Sequence, residues 1–305
     1  MLFSILIISK GQEDLLSKCL SSLRAPAIEW ELILVSEKEL SQELLQLARS
    51  LAPHVRQLSH LDEARENSKG DWILFLRENM TLGKSYWEVA MPLILEPKID
   101  VLGGPLLPAK GMRPLALSYE IALSSPFCTG MSFVRHRSLG RKLMMADEEK
   151  LSTEAIWIRK NLFRDIELGS ELLLVLKREG HNLFYHPQLS VAHFSHMSLR
   201  EMTRKSFQQG QLRSSLNKKK LSVGSEVYWL PALFILLHLI IFLNIEFFLN
   251  LVTLYLGVIG FVGLGLAFRS QKFYLFPLIA FFHYFIVALY GVGFLYQRIT
   301  RKSAY

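Results

Sequence analysis

The chain of 305 residues has two cysteines, Cys19 and Cys128. They are far apart and make no metal-ligand spacing, so a cysteine-based metal module is excluded and both thiols read as reduced and structural. The opening run MLFSILIIS lacks a basic n-region and a small-residue cleavage site, and the polar KGQED follows at once. It therefore reads as a strand and not as a secretory signal. What the chain lacks most is polarity. At 50% hydrophobic residues and a mean hydropathy of +0.25, it is too apolar for an ordinary soluble domain of this length.

The apolar excess lies toward the C-terminal end. Residues 227–245 (VYWLPALFILLHLIIFLNI), 247–268 (FFLNLVTLYLGVIGFVGLGLAF) and 273–296 (FYLFPLIAFFHYFIVALYGVGFLY) are each long enough to cross a bilayer as a helix. The alternative is a buried helical core, but three such runs joined by very short polar links leave no polar face to meet water. The net charge of +8 concentrates before the first run, in Arg200, Arg204, Lys205, Arg213 and Asn217-Lys218-Lys219-Lys220. The positive-inside rule then places residues 1 to about 222 of a multi-pass membrane chain in the cytoplasm. Arg269 and Lys272 agree with this; Arg298, Arg301 and Lys302 do not, so one run is open to being a hairpin that does not fully cross. Beside an apolar span, anionic lipid headgroups are a more economical partner for this basic patch than nucleic acid, and no nucleic-acid partner is expected.

Before the apolar runs, strands and helices alternate. FSILII (3–8), ELILV (31–35), Val55–Leu58 and WILFL (72–76) read as strands. Helices are expected over Glu13–Leu23, with Leu15, Leu16, Cys19, Leu20 and Leu23 at helical spacing, over about Leu40–Leu51, and around Glu63–Lys69. This is an α/β pattern of parallel strands covered by helices. In such sheets ligands bind beyond the carboxyl ends of the strands, where this chain has Ser9-Lys10-Gly11, Ser36-Glu37 and Arg77-Glu78-Asn79. Further on, SELLLVLKREG (170–180) reads as a helix closed by Gly180, and HNLFYHPQLSVAHFSH (181–196) as two short strands broken at Pro187. Ser198-x-x-Glu201 is a capping box opening a basic helix with Leu199, Met202, Phe207 and Leu212 as its apolar residues, a composition suited to a membrane surface.

Several phrases, in order, resemble the family 2 inverting glycosyltransferases of the GT-A fold, and within them the membrane-anchored enzymes of bacterial exopolysaccharide synthesis. FSILIISKGQEDLLSKCLSSL is similar to that family's opening strand and helix. ELILVSEKE stands where an acidic pair follows the second strand, and KGDWILFLREN where a D-x-D cluster ends the fourth. ELLLVLKREGHNLFYHPQLSVAHFSH and the late ALYGVGFLYQ also match family patterns. The resemblance implies a cytoplasmic GT-A-like domain over 1–197, a basic interfacial helix and linker over 198–222, and a transmembrane region of about three helices over 223–305. It implies a nucleotide-sugar donor, a lipid-linked or glycan acceptor, contact with membrane lipids, and possible partners among other polysaccharide-assembly proteins.

The departures from the family pattern fall on the chemistry. Where the family holds the nucleotide with two acidic residues, this chain has Ser36 and Glu37; where it has D-x-D, this chain has Arg77-Glu78-Asn79. Its E-D pair for the general base falls on Leu168 and Gly169, with Glu171 and then Glu167 as the nearest carboxylates. The resemblance thus assigns Ser9, Glu37, Arg77, Glu78 and Asn79 to the nucleotide-sugar, and Glu171 or Glu167 to catalysis. A guanidinium opposes a hard cation such as Mg²⁺ or Mn²⁺ but can itself neutralise phosphate oxygens. Glu78 with His193 is the competing reading, a weak metal site. Plainer readings stand beside each of these: Ser36 with Glu39 as a capping box, 77–79 as a solvated loop, His193 and His196 as ordinary polar-turn histidines, and Glu171 as an acid favoured by its helix dipole. A catalytically inactive scaffold or regulator on the same fold is the alternative to an enzyme.

Overall fold

The computed structural model describes residues 2–24, 29–163, 170–218, 229–238 and 245–300. In chain order it begins with β1 (Phe3–Ile8), α1 (Glu13–Ser21), β2 (Trp30–Val35), α2 (Gln42–Leu51), β3 (His54–Leu58), α3 (Leu61–Asn67), β4 (Trp72–Arg77) and β5 (Met80–Leu82). It continues with α4 (Tyr86–Ile94), β6 (Val101–Gly103), β7 (Leu106–Pro108), α5 (Pro114–Leu123), α6 (Pro126–Thr129), β8 (Met144–Met145) and β9 (Ile156–Arg159). The last elements are α7 (Ser170–Arg178), β10 (Leu183–Tyr185), β11 (Val191–His193), α8 (Leu199–Lys218), α9 (Leu230–His238), α10 (Ile245–Arg269) and α11 (Phe276–Thr300). The chain divides into two compact units: residues 1–110 with 134–194, and residues 111–133 with 195–305.

The first unit is mixed α/β. Its main sheet has eight strands in the order β3-β2-β1-β4-β9-β6-β10-β8. The strands β3, β2, β1 and β4 are parallel; β1, β2 and β4 are the buried, largely apolar runs expected of strands covered on both faces, while β3 is the more polar edge strand. β9 runs against both β4 and β6, while β10 is parallel to β6. Six strands therefore end at one edge of the sheet, and β9 begins there. A smaller sheet, β5-β11-β7, sits after the end of β4, with Met80 opposite His193. Phe3, Trp30, Trp87 and Trp157 pack together in the core, with the Phe3 and Trp157 rings 5.5 Å apart. Gly104 marks a crossing no larger residue fits, since a Cβ there would lie 2.1 Å from the carbonyl oxygen of Leu189.

Local expectations from the sequence meet three kinds of outcome. The four early strands form close to their expected bounds, Gly180 ends α7 in the left-handed conformation at φ +87°, and the Ser198–Glu201 capping box closes, Ser198 N–H donating at 2.6 Å to the Glu201 carboxylate. The Ser36–Glu39 capping box does not form, because α2 begins at Gln42 with Ser41 before it. The segment 111–133 groups with the C-terminal residues.

The second unit is helical. α8 buries Met202, Ser206, Gly210, Arg213 and Ser214; of the apolar set read from the sequence Met202 is fully buried, Phe207 and Leu212 are half-buried and Leu199 is exposed, and the rest of the buried face is polar or small. The reason is a close crossing with α11: a Cβ on Gly210 would lie 2.1 Å from the Tyr290 carbonyl oxygen, and one on Gly293 2.1 Å from that of Phe207. Small residues let helix backbones approach in this way. Tyr119 of α5 and Ser206 of α8 share a hydrogen bond at 3.1 Å. Among the described residues two helical segments, Val252–Arg269 and Phe273–Thr300, are long and apolar enough to cross a membrane, against three expected. The run 227–245 is described as helix only over Leu230–His238 and at Ile245, and residues 239–244 lie outside the described set. α10 exposes Leu254, Phe261 and Phe268, the second at 80%.

Candidate functional site

The carboxyl edge of the main sheet is assembled by backbone register. Ile8 of β1 lies beside Val35 of β2 and Arg77 of β4. The ladder carries one residue further on each side, Ser9 N–H donating to Val35 O at 2.8 Å and Glu78 N–H to Ile8 O at 3.0 Å. Ser9, Ser36, Arg77 and Glu78 thus leave the sheet along one line. Because β9 is antiparallel and Phe75 pairs with Ile156, the residue two before Ile156 reaches the same line beside Arg77. That residue is Glu154.

The two charged residues that end β4 have different surroundings. Glu78 is buried, and its Oε2 accepts from Ser9 Oγ at 2.5 Å and from the Gln12 N–H at 3.1 Å. Ser9 Oγ in turn accepts from the Gly11 N–H at 3.1 Å. The carboxylate therefore fastens the end of β4 to the loop that enters α1, where the helix dipole favours an anion. Arg77 reaches outward instead, with Nη2 3.2 Å from Glu154 Oε1 and the two side chains 43% and 32% exposed. Behind them Cys19 Sγ donates weakly to Arg77 O at 3.7 Å. Burial above all, with the nearby Glu78 charge adding to it, pushes the Cys19 thiol up to about 12 despite a hydrogen bond with the Met80 backbone, so it stays protonated and structural.

Asn79 ties the main sheet to the small one. Its Nδ2 donates to Phe194 O at 2.7 Å, and Phe194 N–H donates back to Asn79 O at 2.8 Å. Its Oδ1 is buried without a hydrogen-bond partner among the described residues. His193 is buried in β11 and its carbonyl accepts from Ala109 N–H at 3.0 Å, while His196 is exposed. Ser36 Oγ donates to Lys38 O at 2.8 Å and accepts from Lys38 N–H at 3.3 Å, which closes a tight turn; Glu37 within it is exposed. Glu167 lies outside the described residues, as does the side chain of Glu171, whose backbone is in the first turn of α7.

The donor set fits a divalent cation poorly. Among the described residues no group of three or more His, Cys, Asp or Glu stands together, so Glu78 and His193 lack a third protein ligand of these types. Glu78 already spends one oxygen on two donors, and a guanidinium adjoins it in sequence. Sequence reading brought Ser9, Arg77, Glu78 and Asn79 to one place but missed Glu154. Only the antiparallel direction of β9 carries it there, and strand direction leaves no mark on hydrophobic periodicity.

No protein-family model matches the chain, and no curated protein matches it. Among solved structures it is similar to S. aureus TarS residues 1–349, at 14% identity and a TM-score of 0.48, over 98% of this chain and 92% of that one. The same protein in complex with UDP-GlcNAc gives 13% and 0.49, and in complex with UDP 14% and 0.47, with the same coverage.

Proposed function

We propose that the first unit binds a nucleotide-diphosphate sugar at the carboxyl edge of its main sheet and transfers the sugar to a membrane-associated acceptor, as a family 2-like inverting glycosyltransferase of cell-surface polysaccharide synthesis. The observation that carries this reading is the partly exposed Arg77 guanidinium at the strand edge where open α/β sheets bind ligands, next to Ser9 and Glu78. The phrase-by-phrase resemblance of the sequence to that family supports it independently. Arg77 neutralises the diphosphate through bidentate hydrogen bonds, work that a metal would otherwise do. Ser9, Glu37 and Asn79 border the nucleotide, and Glu78 holds the β1–α1 loop in shape around it. No step is routed through a metal.

In the transfer, the acceptor hydroxyl oxygen bonds to the anomeric carbon as that carbon's bond to the diphosphate oxygen breaks. The leaving nucleoside diphosphate keeps the electron pair, and Glu171 or Glu167 takes the hydroxyl proton. The second unit holds the reaction at a membrane: α10 and α11 are its spans, and Arg200, Arg204 and Lys205 meet anionic headgroups on the cytoplasmic side. A scaffold without catalysis is the second reading, favoured by the fact that Glu78 is occupied by Ser9 and Gln12 and Arg77 by Glu154. Transfer assays with Glu171→Gln and Glu167→Gln separate the two. The enzyme loses transfer in at least one variant while still binding donor; a scaffold supports polymer assembly in cells with both substitutions present.

A further inference from the structure

The guanidinium that the proposed site offers to a diphosphate is already engaged by Glu154. Resting on the reading above, we propose that Glu154 is a positioning residue that holds Arg77 at the strand edge and is displaced by the donor diphosphate, so that Arg77 exchanges one anion for another and Glu154 sets donor affinity. Three observations carry this. The contact is a single one at 3.2 Å, and an arginine fork has four further N–H donors with which to begin capturing a second anion before the first lets go. Both side chains are partly exposed, so parting them leaves neither charge stranded in a dry interior. The backbone on each side is fixed: Arg77 by its register with Ile8, Glu154 by the strand that follows it and by its own N–H to Ser152 Oγ at 3.3 Å. Side-chain motion alone therefore suffices for the exchange.

The proposal predicts an unusual sign. A carboxylate that competes with the diphosphate for Arg77 and repels it lowers donor affinity, so Glu154→Gln binds donor more tightly than wild type, by about two- to fivefold for a partly exposed pair. A carboxylate needed only to shape the site gives the opposite sign. The gain shrinks with added salt, which screens the pair, and it vanishes in an Arg77→Ala background, where there is nothing to compete for.

The test is a double-variant cycle on the full chain in detergent: wild type, Glu154→Gln, Arg77→Ala and both together, each titrated with UDP-, GDP- and dTDP-sugars and with the free nucleoside diphosphates. Melting temperatures without ligand serve as the folding control. Tighter binding in Glu154→Gln, absent when Arg77 is alanine, is the expected result. Binding that is lost in Arg77→Ala but unchanged or weakened in Glu154→Gln overturns the exchange and leaves the donor site standing. Binding equal in wild type and Arg77→Ala, or no binding to wild type, overturns the donor site and the exchange with it.

Discussion

The two ends of the main sheet each carry a carboxylate–arginine pair, and the pairs are built differently. At the amino end, Glu31 is 2% exposed and accepts from Ser4 Oγ at 2.6 Å, from the Lys69 N–H and from Arg56. Gly70 makes room for this junction: its N–H donates to Ser4 Oγ at 2.9 Å, and a Cβ there would lie 2.4 Å from the Ser4 nitrogen. At the carboxyl end Arg77 and Glu154 share one contact in partial exposure to water. A buried carboxylate with three donors is costly to disturb and holds strands together, whereas a half-wet pair with one contact contributes little to stability and is free to trade partners. The same two residue types thus form a rivet at one edge and a loosely held, half-wet pair at the other, and burial decides which.

The contrast is broken most severely at the rivet. Glu31→Ala leaves three donors facing an empty site and is expected to destabilise the protein by roughly 3 kcal/mol, read by chemical denaturation of the first unit's fluorescence. Next comes Arg77→Ala, expected to weaken donor binding roughly 30-fold, in line with about 2 kcal/mol for a hydrogen-bonded charge, while changing stability little. The pH dependence of stability sharpens the comparison further. Burial works to raise the Glu31 pKa, but the Lys69 amide, Ser4 hydroxyl and Arg56 outweigh it and hold it below the usual carboxylate value. The folded state then binds fewer protons than the unfolded one, so this stabilisation is complete above an unfolded pKa of about 4.3 and is lost as pH falls through the lower folded value. A pH series of denaturation midpoints shows that acid-side loss in wild type and a flatter profile in Glu31→Gln. The smallest effect belongs to Glu154→Gln, whose unliganded stability is expected within about 0.5 kcal/mol of wild type by the same denaturation assay.

The strands that position the site were legible because their signal is local. FSILII and WILFL are apolar runs of strand length, and each stops at polar residues that the fold places on one edge. What escaped sequence reading depends on partners distant along the chain. Glu154 precedes a strand whose reversed direction is set by its neighbours β4 and β6. The role of Glu78 is decided by the backbone of the β1–α1 loop, 66 residues away at Gln12. On α8 the expected Met202 is buried, but a hydrophobic pattern marks surfaces that leave water and so overlooks Ser206, Gly210 and Ser214, small residues that suit the close crossing with α11.

A diphosphate site built on Arg77 is open to a direct test: thermal stabilisation of the detergent-purified chain by UDP-, GDP- and dTDP-sugars, with and without a metal chelator. Ligand that binds the native state raises the melting temperature by mass action, so no acceptor is needed. At least one donor is expected to stabilise the wild-type protein, with a shift that survives chelator and is lost in Arg77→Ala. A shift abolished by chelator, or one that Arg77→Ala retains in full, would contradict such a site.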